Sequence, residues 1–517
     1  MYHNDDLFKL IKSLSHPEKV RFRQFLKSRK SADSGHLYLA IYRKMEQQKV
    51  YDESKIRKYL FHGKEEKQFP VIKNYLFHLI LESLNTARSL VSLDAELDGL
   101  LQKSDILFEK GLYTSCAKLI EKAKKTAEEN DSFIHQLGAI NREERIAVYI
   151  YRLWESNEEE LRKSHREKEE IFRKLANIQD YLLLRSVLSV KFRPEKVQRR
   201  DPDAGLMAIL NDPLLVKEEM AISFPAKTLF FQCRELGARL TNDQGKHYEA
   251  AKKSLALIEK HPARFGDRVK FYLAALHNFG PACIETDRYD ELPALVVKIR
   301  QLLRDAERPD TDLKERCLIS SSHLELWYYA SGVETDKGVL LLNRIKIPLS
   351  EVAENRYRVD KAIIYYNAFK LLIAAGRFQE ALSWLNNFFN TVPPESDQDL
   401  QANARVLELI IHFELNNTDI LEALVRSVYR FLFRHKRLYA LETKLLEFIR
   451  NKLPKVKKPE QLTVYFKELR DDLAVLLKDP FEKVGFEYFD YVSWLESKIS
   501  GRPFAEILRQ KAQRVNG

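Results

Sequence analysis

Glycine and proline are both scarce in this chain, at 16 and 17 of 517 residues. So few breakers exclude collagen-like or Gly/Pro-rich low-complexity organisation and leave room for long regular helices. Cysteine is scarcer still. Cys116, Cys233, Cys283 and Cys317 are the full set, with no CxxC spacing. That excludes a disulfide framework and suits a reducing compartment, where thiols serve as small buried hydrophobes. No basic-then-apolar leader opens the sequence, where Asp5 and Asp6 stand. Long apolar runs are missing too: residues 362–376 are interrupted by Lys370 and fall short of a membrane span. The expectation is a cytoplasmic protein with no membrane span.

Catalytic signatures are equally absent. There is no GxxxxGKS/T loop, GxGxxG, HExxH or GxSxG. None of the 13 histidines lies three or four residues from another, and none shares a ligand spacing with a cysteine. The acidic pairs Glu143-Glu144, Glu158 to Glu160 and Glu218-Glu219 sit in charged helical stretches, where such pairs are solvated faces. No catalytic residue, metal or cofactor is assigned, and a non-enzyme is expected, since catalysis needs polar groups converging in a pocket.

What is present is apolar and charged in helical proportion. Hydrophobic residues make up 45% and aromatic ones 11%, enough burial to offset chain entropy and exclude disorder. The length exceeds one compact core, so several domains or a repeat array are expected. Charge is segregated. Residues 1–90 carry 18 Lys+Arg against 10 Asp+Glu, residues 91–425 carry 48 against 53, and residues 426–470 carry 13 against 4. Two basic poles therefore flank a slightly acidic middle, which bears on partners rather than on fold.

One pattern occurs twice. In the stretch from Tyr366 to Ala381, Asn367 lies nine residues before Gly376, Phe378 follows two after it, and Ala381 three further on. From His277 to Leu292 the same frame holds Asn278, Asp287 and Tyr289. Both stretches resemble the tetratricopeptide repeat, a helical hairpin that cannot bury its apolar face without stacking on a neighbour. Turn signals at Gly111, Ser156-Asn157, Gly245, Asp287, Gly332, Gly376 and Asn416-Asn417 recur at 41–45 residues or twice that. Small residues such as Ala117, Ala123, Ala250 and Ala251 follow those turns in a nesting register. The expected fold is all-α: a basic N-terminal helical module over 1–90, a tetratricopeptide-like α-solenoid over 91–440, and a C-terminal helical cap over 441–517.

Within 1–90, Ser15-His16-Pro17-Glu18 reads as a capping box opening a helix to about Lys30, with further helices near 36–48, 52–62 and 68–89. Phe22, Phe25, Leu26, Tyr38, Ile41, Tyr42, Leu60, Phe61, Ile72, Leu76 and Leu79 are its candidate core. The stretches LFKLIKSLSHPEKVRFRQFL and FPVIKNYLFHLILESL resemble a group of helical-repeat proteins from Bacteroidetes, a likeness that carries no activity with it. Beyond 440, helices are expected near 460–478, 481–499 and 503–514.

Two sets of residues are candidates for binding. In the tetratricopeptide family the Asn nine residues before the turn faces a concave groove, where its amide can bond an extended peptide. The resemblance thus implies a peptide groove with Asn278 and Asn367, joined on the same faces by His277, Glu285, Tyr366 and Lys370. Scaffold amides that bridge neighbouring hairpins are the plain alternative, and Pro281 interrupts the first match. The second set is two basic stripes: Lys19, Arg23, Lys27 and Lys30, and Arg426, Arg430, Arg434 and Arg437. Their spacings of 3 and 4 put each set on one side of a helix, suited to nucleic acid or an acidic partner. The aromatics beside them (Phe22, Phe25, Tyr429, Phe431, Phe433) have core spacing, and RPEKVQRR at 193–200 is a third basic site. The functional expectation is a scaffold binding a protein or peptide partner in the solenoid groove. The second is a nucleic-acid-associated regulator in which the solenoid senses a ligand or partner.

Overall fold

A computed structural model describes residues 6–14, 16–28, 34–48, 50–61, 69–88, 93–151, 158–191, 204–261, 269–306, 309–330, 334–352, 357–392 and 398–515. Among them every regular element is a helix, so the fold is all-α. Ser15, Lys30, Ser156-Asn157, the 193–200 segment and Gly332 lie outside the described residues, as do the side chains of Leu60 and Phe61. The chain folds as two compact units, residues 1–172 and 173–517.

The first unit holds two separate cores. Helices Asp6–Ser13, His16–Ser28, Ser34–Gln47, Glu53–Phe61 and Phe69–Arg88 converge on Ile11, Phe22, Ile41, Tyr42, Met45 and Leu76, all within 1% of full burial. Phe25, Tyr38 and Ile72 pack around this cluster, half-buried. Helices Leu93–Glu109, Tyr113–Glu129 and Phe133–Tyr151 enclose a second cluster around Leu97, Cys116, Ile120 and Ala123. Ala117 faces outward instead.

One turn recurs through both units and explains how the hairpins close. At Gly111, Asp131, Asn242, Asp287, Gly376, Asn416 and Lys436 the backbone is left-handed, with φ between 49° and 72°. Each time, the next residue's N–H reaches the carbonyl five positions back: Leu112 to Leu107 (2.9 Å), Asp243 to Ala238 (2.8 Å), Arg377 to Leu372 (2.8 Å) and Arg437 to Leu432 (2.8 Å) are examples. This is the Schellman ending, which satisfies helix carbonyls that would otherwise lack partners. Glycine takes that backbone without steric cost at Gly111 and Gly376, while Asn and Asp tolerate it. The expected turn at Gly245 is displaced: Asn242 makes it, and Gly245 lies inside the helix Gln244–Glu259.

In the second unit, helix pairs nest through small residues, with Ala251, Ala282, Ala368 and Ala381 buried at 2% or less. Gly338 is one close approach. A Cβ there would stand 2.7 Å from Tyr329 Cβ and 2.6 Å from Leu371 Cδ2. Pro281 does not interrupt its helix, which runs unbroken from Val269 to Glu285. Helix Arg358–Ala374 is apolar nearly all round and buried nearly all round, because other helices cover it on more than one side.

The C-terminal helices are Pro459–Leu476, Pro480–Tyr488, Tyr491–Ser500 and Phe504–Val515. The single helix expected near 481–499 is two, because the Asp490 carboxylate accepts from Ser493 N (3.0 Å) and starts a new one. These helices share one core with residues 319–449: Phe489, Tyr491, Trp494 and Leu495 join Phe369, Phe388 and Ile410. Tyr366 Oη donates to the Tyr488 carbonyl (3.2 Å) and Tyr491 Oη to Asn403 Oδ1 (3.2 Å). The segment expected only to cap one end thus folds back onto helices Arg358–Ala374 and Gln398–Glu414.

Candidate functional site

Where the folded-back segment meets the repeat helices it leaves a cavity of about 580 Å³. One wall comes from Pro281, Ile284 and Glu285, from Trp327 and Ala330, and from Lys370 and Ala374. The facing wall comes from Phe486, Glu487, Phe489, Asp490, Phe504 and Lys511. The volume falls in the range of small-molecule sites, and aromatic walls with a few polar groups are their usual lining.

Charges in the cavity divide into two ends. Lys370 lies over the Tyr366 ring, its ammonium 5.9 Å from the ring centre. Burial pushes its pKa down to about 8, because the charged form loses hydration without gaining a counterion. Glu285 and Glu487 form the other end. Burial, and then the charge of Glu285, raise the Glu487 carboxyl, which Lys483 partly offsets. Glu285 is held from behind by His247, whose Nδ1 stands 2.6 Å from Oε2. His247 also faces Glu235, which burial raises to about 7. Lys511 is already engaged with Asp490, at 2.6 Å.

The structure divides the expected groove residues. Glu285 and Lys370 line the cavity. Asn278 is exposed and is not part of the lining. Tyr366 and Asn367 do not line the cavity: they are 3% and 2% exposed, and Asn367 Nδ2 has no partner among the described residues. His277 is half-buried with its ring 5.2 Å from that of His323. Nδ1 of His277 and both ring nitrogens of His323 are buried without partners.

The basic stripes are also divided. Lys19 and Arg23 both face Glu46, at 3.6 and 2.7 Å, so the two share one carboxylate of the neighbouring helix and the stripe is only partly neutralised. Lys27 is exposed. On helix Thr418–Arg434, Leu421, Val425, Val428 and Leu432 face the core. Arg426 pairs with Glu422 (2.6 Å), and Arg430 and Arg434 are exposed. Arg437 is a correction to the stripe: it lies beyond the helix end and turns inward to Asp399, at 2.6 Å, with 13% of its side chain exposed. Tyr429 and Phe433 depart from the core expectation as well. They are 44% and 68% exposed and lie parallel, 6.2 Å apart. Phe431 does pack against the core.

Trp327, Phe486, Glu487, Phe489 and Phe504 carry no repeat motif and were not singled out by sequence reasoning. The available signal was the run from Phe481 to Tyr491, where acids alternate with aromatics. The fold and the cavity together define an all-α protein of stacked helix pairs with a cleft between its repeat helices and its C-terminal helices. Comparison with family models, with curated proteins and with solved structures returns no match.

Proposed function

We propose that this protein is a non-catalytic, tetratricopeptide-like scaffold that captures a short segment of a protein or peptide partner in the cavity between its repeat helices and its folded-back C-terminal helices. The observation that carries the reading is the cavity itself, lined by Glu285 and Lys370, which the repeat resemblance assigns to a groove, and by aromatics from the C-terminal helices. Affinity would come from aromatic anchors and a few polar contacts in a water-poor site. Ala374 is small and lines the cavity, so Ala374→Trp fills it. Partners recovered with the tagged full-length protein from its host after nuclease treatment should be lost with Ala374→Trp. Retention of the same partners by that variant overturns the reading.

A second reading rests on the exposed aromatic pair. Tyr429 and Phe433, flanked by Arg426, Arg430 and Arg434, form a surface on which bases of single-stranded nucleic acid can stack while arginines meet phosphates. Under that reading, Tyr429→Ser with Phe433→Ser should weaken binding of a fluorescent oligonucleotide by about 1–3 kcal/mol per stacked base. Unchanged polarisation titrations would leave the surface without this role.

A further inference from the structure

The cavity carries two chemically different sets of charges. Lys370 comes from helix Arg358–Ala374, has no carboxylate partner among the described residues, and lines the cavity along with Ala374 and Trp327. A half-buried ammonium with no counterion beside it is poorly solvated, and the fold holds it there in a space open to a ligand. At the other end, Glu285 and Glu487 repel one another. His247 engages one oxygen of Glu285 from outside the lining. Lys483 and Asp287 line the cavity as well, and Lys483 offsets part of the repulsion at Glu487, while Lys511 is matched by Asp490. The lining also has aromatic walls: Trp327, Phe486, Phe489 and Phe504.

We infer that the cavity binds a small amphipathic zwitterion, its carboxylate on Lys370 and its ammonium on the Glu285–Glu487 pair, with an apolar body against the aromatic walls. The inference rests on the proposed capture site and narrows its protein or peptide partner to a peptide of two or three residues with both termini free. Each charged contact supplies what the empty cavity lacks. The carboxylate gives Lys370 its counterion, and the ammonium relieves the repulsion between the two carboxylates. Charge-assisted bonds in a desolvated site are the strong kind. A molecule with only one charged end leaves the opposite end unsatisfied and is discriminated against for that reason.

The test is isothermal titration calorimetry of the full chain with leucyl-alanyl-phenylalanine in four forms: unblocked, C-amidated, N-acetylated and doubly blocked. The unblocked peptide should bind at least about tenfold more tightly than either singly blocked form, the factor expected of one charge-assisted contact. In Lys370→Met the free acid and the amide should bind alike, while acetylation still weakens binding. In Glu487→Gln the free amine should lose most of its advantage over the acetylated form, while amidation still matters. Circular dichroism reports whether each variant is folded, and the peptide series on the unsubstituted protein decides the matter by itself. Equal binding of all four forms overturns the zwitterion and leaves peptide capture standing. No binding of any form at millimolar concentration also overturns it, and the Ala374→Trp pull-down then judges the scaffold reading separately.

Discussion

Replacing Trp494 by alanine should destabilise the second unit by about 3–5 kcal/mol, the range for emptying a buried tryptophan site. The side chain is 3% exposed, and its ring stands edge-on to Phe413 and Phe466 at 6.3 and 6.2 Å. Its Nε1 donates to Glu414 Oε1 at 2.8 Å, while Lys498 holds Oε2 at 2.5 Å. Only 8% of the Glu414 side chain is exposed, so the loss has two parts. Alanine leaves a void where the ring stood, and it leaves a buried carboxylate short of one donor. Trp494→Phe separates them, since it keeps most of the packing and removes only the donor; about 1–3 kcal/mol is expected. Urea unfolding measures both, with the midpoint falling and the slope unchanged if the fold itself is intact. Equal losses in the two variants would mean that ring packing contributes little there.

His323→Phe should stabilise the protein, and more so in acid. Neither ring nitrogen of His323 has a partner among the described residues, and the ring lies 4.0 Å from that of Trp327, tilted against it. Phenylalanine preserves an aromatic ring against Trp327 and removes two unsatisfied polar atoms, worth about 1–2 kcal/mol at pH 8. The pH dependence follows from burial. Desolvation holds His323 well below the ordinary imidazole value of 6.5, helped by neighbouring His277, and it lowers His277 as well, against the pull of Asp360. Below 6.5 the unfolded chain takes up protons that the folded imidazoles refuse. Stability is therefore fully present above 6.5 and is lost as pH falls, by about 1.4 kcal/mol per unit for each histidine. His323→Phe should remove one such contribution and leave that of His277. Thermal unfolding midpoints of both proteins at pH 8 and pH 5 give the comparison. An unchanged acid slope would show that His323 finds a proton partner in solution.

The helical hairpins were legible because their signals are local. Asn367, Gly376, Phe378 and Ala381 fall within fifteen residues, and Gly376 supplies the left-handed backbone that the Schellman ending requires. The same ending at Asp131, Asn242 and Lys436 was not legible, since no glycine marks it there. The Lys436 turn also accounts for Arg437. Spacing continued the arginine stripe through it, but the chain leaves the helix at Arg434 and carries Arg437 inward to Asp399. Glu46 likewise comes from a different helix than Lys19 and Arg23, so helical spacing alone could not show their neutralisation. The cavity was the least legible feature. Glu285 and Lys370 were named for a repeat groove, while the facing wall lies more than a hundred residues further along the chain than Lys370.

That separation sets an order of events during synthesis. Tyr366 waits for Tyr488 and Glu414 for Trp494, intervals of 122 and 80 residues. At 5–20 residues per second, roughly 6–25 s pass between the appearance of Tyr366 and of its partner. For that time the helix Arg358–Ala374 has completed its own hydrogen bonds and its hairpin, yet part of its apolar surface is uncovered. A nascent chain at this stage is a sticky half-structure, and chaperones that recognise apolar helical surface would meet it there. The same interval protects specificity: until the last helices arrive, the pocket has only one wall and nothing for a ligand to be enclosed by.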